Sequence, residues 1–410
     1  MAAKPWYTSQ DLIDSVKRKI AIPINQRTFS EEDILAFANE ETMISQVPDI
    51  LTYHEEYFVY SQDIPLVPNQ TRYSIPERAI GQKLRDIFYL DSNGNLYEMT
   101  RVNDDDKAYW QRDSALSNIS QKYYLEGNDI VLAPKSISSP TGSLRLTYFL
   151  RPNQLVLNSR AAISKYFFKN ITINNSSIVA GDTLTIGSKV FTAVSGSPST
   201  LEFQIGVDSI TTASNLATAI LTDNTYIGNN GSPASSVVQV KYLVLDTDIE
   251  SSNSSGISVA TTVGIEFTDN LPDNIVDGIN IDFLQTKPGH RTYSFEVNLP
   301  LGSVSTDSIL FQPGVIPSTF IIGDYICQEY ECIIPQIPSD LHNGLAERVC
   351  ARILSAQGDM QGLQMNAQNM QSIKVAEGAL LDDRVDGSTQ KVNQRKTMLS
   401  YLRMGIRRRI

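Results

Sequence analysis

Side-chain catalysis near neutral pH leans on groups that exchange protons there, and this chain has only three histidines in 410 residues. His54 lies beside Glu55 and Glu56 in a helical pattern, His290 in PGHRT, and His342 in the first turn of a predicted helix, so structural or surface roles are expected. Asp104, Asp105 and Asp106 offer oxygens suited to a hard cation, but the run lacks the alternation and the glycine of an EF-hand loop, and a solvated turn is predicted. Cys327, Cys332 and Cys350 are too few and too odd in number for a disulfide framework. CQEYEC misses the short spacing of a zinc ribbon, so these cysteines read as buried or edge thiols. No phosphate-binding glycine loop, G-x-S-x-G elbow or H-E-x-x-H motif occurs. The expectation is a protein with no catalytic site, no metal and no cofactor.

The strongest chemical signal is a charge reversal. The last twenty residues carry seven basic groups, Lys391, Arg395, Lys396, Arg403, Arg407, Arg408 and Arg409, and no acid; the net charge of −11 therefore leaves −18 on the first 390 residues. An acidic body repels nucleic acid, because neutralised phosphates supply most non-specific affinity. Glu31, Glu32, Glu40, Glu41, Glu55 and Glu56 give the first helices acidic faces, which suit either the lumen of a DNA conduit or an ordinary solvated surface. No run reaches the roughly 18 apolar residues of a membrane span, and MAAKPWYTSQDLIDSV lacks the apolar core of a signal peptide, so an intracellular product is expected.

The positioning elements follow from periodicity. Thr8 with Asp11 and Ser30 with Asp33 form capping pairs ahead of Leu12, Ile13, Val16 and Ile20 and of Ile34, Leu35, Phe37 and Ala38; Pro48 breaks or restarts a further helix. From Asp63 short strands take over. Asn93-Gly94 suits a type I′ hairpin turn, and Leu144, Leu146, Tyr148 and Leu150 alternate with Arg145, Thr147, Phe149 and Arg151 as in a strand with one buried face. Residues 160–282 are rich in Ser, Thr, Asn and Gly and read as a β unit with one helix, inserted because strand-like sequence resumes after it. Ser339 then caps a long amphipathic helix with the stripe Leu341, Leu345, Val349, Ile353 and Leu354, continued weakly by Leu363, Met370 and Ile373.

The expected fold class is α+β. An N-terminal helical hairpin or bundle (1–60) and a long C-terminal helix region (337–386) surround a discontinuous β-rich body (61–159 and 283–336). A small β-plus-one-helix domain (160–282) is inserted, and an extended basic arm (387–410) follows.

This order, with the runs DIPLVPNQTRYSIPERAI, LRLTYFLRPNQLV and IIPQIPSDLHNGLAERVCARIL, resembles the head-to-tail adaptor, or connector, proteins of short-tailed bacteriophages. Tyr148, Arg151 and Pro152 and the element from Pro338 to Leu354 carry the likeness, which spares the insertion. Within the insertion Ala180, Gly181, Asp182, Ile186 and Gly187 resemble a small decoration domain of phage structural proteins.

The resemblance implies a virion protein that is not an enzyme. Its subunits would form a homo-oligomeric ring, a dodecamer, that joins the capsid portal to downstream tail proteins at the portal vertex and lets genomic DNA pass without sequence-specific binding or any membrane contact. It also implies that the basic arm reaches the portal ring. Arg403, Arg407, Arg408 and Arg409 would bind carboxylates or carbonyls there, while Leu399, Tyr401, Leu402, Met404 and Ile406 would fill apolar grooves. An arm without a partner, or arginines on DNA phosphates, are the other readings of the same residues. The stripe Leu341, Leu345, Val349, Ile353 and Leu354 is expected to make subunit contacts. A glycan- or host-surface-binding tail component is the alternative function, with a wall hydrolase behind it.

Overall fold

The computed structural model describes residues 7–20, 29–53, 55–68, 70–103, 122–133, 142–229, 235–284, 294–364, 366–368 and 370–371. The architecture is mixed α+β, with a β-rich body and few helices. His54, His290, Asp104–Asp106, Ile373 and the basic arm lie outside the described residues.

Helix α1 (Ser9–Lys19) starts where the Thr8 hydroxyl accepts the Asp11 amide and the Asp11 carboxylate accepts the Thr8 amide, a reciprocal cap. Ser30 and Asp33 repeat the device at α2 (Glu31–Glu41), where hydrogen bonds from the Ser30 amide and then its hydroxyl hold the Asp33 carboxyl below its usual range. Pro48 does not break the helix. The backbone widens into a π turn at Thr42–Gln46, with the Val47 amide on the Thr42 carbonyl, and continues as α3 (Val47–Tyr53). Because proline supplies no amide to the preceding turn, a wider turn lets the chain pass it without ending.

Two four-stranded sheets follow and share one apolar core. The first runs in the order Val59–Pro65, Ser143–Leu150, Ala79–Leu90, Leu96–Glu98; the second in the order Arg72–Ser74, Asp129–Ala133, Lys122–Glu126, Thr100–Arg101. Leu144, Leu146, Tyr148 and Leu150 point into that core, as their alternation requires. Leu90 pairs with Leu96, so the Asn93-Gly94 hairpin forms, but with a five-residue loop instead of a type I′ turn. Only Gly94 takes positive φ there, and the Asp91 carboxylate accepts the amides of Asn93 and Asn95, each at 2.8 Å. A side-chain-organised turn replaces the backbone-organised one.

The thirteen-residue strand Ala161–Ile173 is the spine of a ten-stranded sheet. Its first residues pair with Tyr325–Gln328 and its later ones with Val263–Phe267, Val237–Tyr242 and Ile257–Val259. Helix α4 (Ser209–Asp223) and a four-stranded sheet from Glu202–Gln204 to Ile249–Ser251 contribute to the same core. Gly187 turns the hairpin Ile186–Lys189 at φ +53, packed so closely against the Tyr226 hydroxyl that a Cβ would collide with it. This apolar cluster takes in residues on both sides of position 282: Phe167, Phe191 and Leu216, but also Ile309, Phe311 and Phe320.

A third core joins α1, α2 and α3 to the C-terminal part of the chain through Cys327, Cys332, Ile333 and α5 (His342–Gln357). Ser339 is not the cap of α5. The Leu341 amide bonds the Pro338 carbonyl at 2.9 Å, so Ser339–Leu341 winds as a 3-10 turn and the α-helix begins at His342 with no side-chain cap. Nor does one long helix run on from there. Gly358 adopts φ +74 and its amide returns to Leu354 and Ser355, closing α5 in a left-handed cap before helical residues resume at 360–364.

Candidate functional site

The three cores meet at a buried polar junction. Arg78 directly precedes the strand Ala79–Leu90, Asn153 follows Ser143–Leu150, and Asp282 lies in the strand Asn280–Leu284. Arg78 is 2% exposed and Asp282 is 0% exposed, so neither charge is solvated by bulk water. Arg78 Nη1 lies 2.8 Å from Asp282 Oδ2, and Nη2 donates to Oδ1 at 3.0 Å, a two-pronged pairing that matches the planar fork to the carboxylate. Nη1 also donates to Asn153 Oδ1 at 2.8 Å.

Asn153 holds the other side of the junction. Its Nδ2 donates to Asp282 Oδ2 at 2.6 Å and to the Glu331 carbonyl at 3.0 Å, and its amide donates to Gln336 Oε1 at 2.6 Å. The amides of Asn298 and Tyr330 complete the carboxylate's partners. Burial pushes the Asp282 carboxyl upward, with Arg78 chief among the groups opposing the shift. The Tyr330 ring covers the guanidinium, its centroid 4.1 Å from Arg78 Cζ. Chemically this arrangement fixes orientation. Its carboxylate and amide are committed to hydrogen bonds, so it ties the three cores together and presents no poised nucleophile or base.

His342 is a second buried polar point. Its Nε2 lies 3.3 Å from the Pro335 carbonyl and 3.2 Å from that of Ile337, where a protonated nitrogen donates to both, and its ring lies 5.0 Å from that of Tyr7. Desolvation lowers its pKa to about 4, so the ring is neutral at neutral pH. Cys327, Cys332 and Cys350 are free and buried, and burial raises all three thiols, Cys350 to about 12.

The residues expected to make subunit contacts lie on α5 and the turn before it. Leu341, Leu345, Val349 and Ile353 are buried inside the chain, in the core shared with α1 and α2, and only Leu354 is half-buried. An apolar stripe on a lone sequence does not say which surface it covers, and here the chain's own helices cover it. Leu399, Tyr401, Leu402, Arg403, Met404, Ile406, Arg407, Arg408 and Arg409 lie outside the described residues. Sequence reading missed Arg78, Asn153 and Asp282, although SIPERAI and LRPNQLV, two of the runs that carry the resemblance, contain the first two.

Residues 7–167 match the family model of the SU10 adaptor protein. The match covers less than half of the chain and likens that part of it to a phage structural adaptor. No curated protein matches the chain. The matched segment contains α1 to α3, both four-stranded sheets, Arg78 and Asn153. It ends within the strand Ala161–Ile173, short of Asp282, Tyr330, Gln336 and α5, which complete its junction and its helical core. No helix among the described residues is long and apolar enough to cross a membrane.

Proposed function

We propose that this protein is a non-enzymatic head-to-tail adaptor whose copies form a ring between the capsid portal and the tail and continue the DNA channel. The observation that carries the reading is the SU10 adaptor match over residues 7–167, which takes in α1 to α3 and both four-stranded sheets. The charge division supports it: an acidic body lets DNA slide past, while a basic terminal arm suits a carboxylate-bearing protein surface. In this reading the arm, Lys391 to Ile410, docks on the portal, and the part of residues 160–282 that carries α4 projects outward. Because the stripe of α5 is spent in the protomer core, a neighbouring subunit would meet this helix through exposed residues such as Asn343, Arg352 and Ser355.

The test is electron microscopy of the protein mixed with the portal protein of the same virion, comparing the full chain with one ending before Lys391. Coaxial double rings from the full chain and none from the shortened one are expected. Absence of rings in both samples overturns the adaptor-ring reading.

A further inference from the structure

Tyr330 has more built around it than covering Arg78 requires. It sits at the tight turn between the strands Tyr325–Gln328 and Glu331–Cys332 with φ +66, a conformation unfavourable for a bulky L-residue and one that glycine adopts freely. The backbone holds it there: its amide donates to Asp282 Oδ2 at 3.3 Å and its carbonyl accepts the Gln154 amide at 2.8 Å. One ring face lies on the Arg78 guanidinium, yet the residue is 38% exposed.

Carboxylates border that ring. The Tyr330 hydroxyl donates to Glu77 Oε2 at 3.3 Å, and Glu329 precedes Tyr330 in the same turn, its Oε2 held by Asn280 Nδ2 at 3.0 Å. Both charges stand close enough to the phenol to help burial raise its pKa. Asp282 neutralises Arg78 below, so the two glutamates leave a local excess of negative charge. Among the described residues neither of them has a cationic partner within salt-bridge distance.

An aromatic face flanked by two carboxylates fits one side chain best. A guanidinium stacks flat on the ring and directs its N–H fork to oxygens at the rim, whereas an ammonium is a point charge without a plane to stack. We propose that Tyr330, Glu77 and Glu329 form a berth for an arginine side chain, filled by the Arg403–Arg409 run of a second copy of this chain. The charge match carries the choice of occupant: that run lies in a twenty-residue segment of charge +7 on a protein otherwise at −18. This rests on the ring reading only in requiring a second copy, and it holds whether or not the arm also reaches a portal.

The experiment uses full-length protein with a photo-crosslinking phenylalanine analogue in place of Tyr330, mixed as heavy- and light-isotope copies. Heavy-to-light cross-links from position 330 into residues 391–410 are expected. Glu77→Gln with Glu329→Gln should weaken self-association roughly ten- to a hundredfold, as loss of charge-assisted hydrogen bonds does, and should leave the melting temperature in place because Glu77 is exposed and a glutamine at 329 keeps an oxygen for Asn280 Nδ2. Arg403→Gln with Arg407→Gln, which leaves residues 1–402 untouched, should give the same weakening. Cross-links confined to one isotope, no cross-link into 391–410, or unchanged association of either variant overturns the proposal.

Discussion

Arg78 shows how much a single buried charge governs here. Two opposite charges out of water are tolerable only while each satisfies the other, so removing one strands its partner. Arg78→Ala is expected to lower unfolding free energy by about 3–5 kcal/mol, measured by urea denaturation, and Arg78→Met with Asp282→Leu should recover only part of the loss, because it strands Asn153 Nδ2 and the amides of Asn298 and Tyr330. His342 makes a prediction about pH. Its folded pKa of about 4 lies below the ordinary value of 6.5, so the unfolded chain binds the extra proton between those limits. Its contribution is complete above pH ~6.5 and is lost as pH falls toward 4, about 3 kcal/mol in all. Denaturant midpoints across that range should show the slope, and His342→Gln should flatten it.

At the scale of elements, α5 is held by burial on one face and ended by Gly358. Leu345→Ala is expected to cost about 2–5 kcal/mol by leaving a cavity among α1, α2 and α5. Gly358→Ala places a Cβ in the left-handed cap and should cost about 1 kcal/mol, read as a lower thermal midpoint. The signals legible in the sequence at this scale were those within a few residues of each other. The capping pairs at Thr8 and Ser30 and the alternation from Leu144 to Leu150 act through hydrogen bonds or side-chain direction that neighbours alone determine. The π turn before Pro48 and the loop organised by Asp91 were not legible, because each is one of several local solutions that packing selects.

At the scale of the molecule, residues 7–167 close the core between their two four-stranded sheets but neither the helical core nor the buried junction. The helical core needs Cys327 to Ile353, and the junction needs Asp282 and Gln336. A fragment of residues 7–167 is therefore expected to lack a cooperative thermal transition, by near-ultraviolet circular dichroism, that the full chain shows. A sharp melt from the fragment would refute that dependence.

Composition and period by themselves determined an α+β chain with an acidic body, a basic end and no recognisable catalytic motif, since charge balance and side-chain spacing are properties of the chain before it folds. Which surfaces those elements cover was decided only in three dimensions. Arg78 finds Asp282 across 204 residues, and the stripe of α5 finds α1 and α2 from the far end of the chain. Contacts of that range depend on the path of every intervening strand, and no local pattern of residues encodes that path.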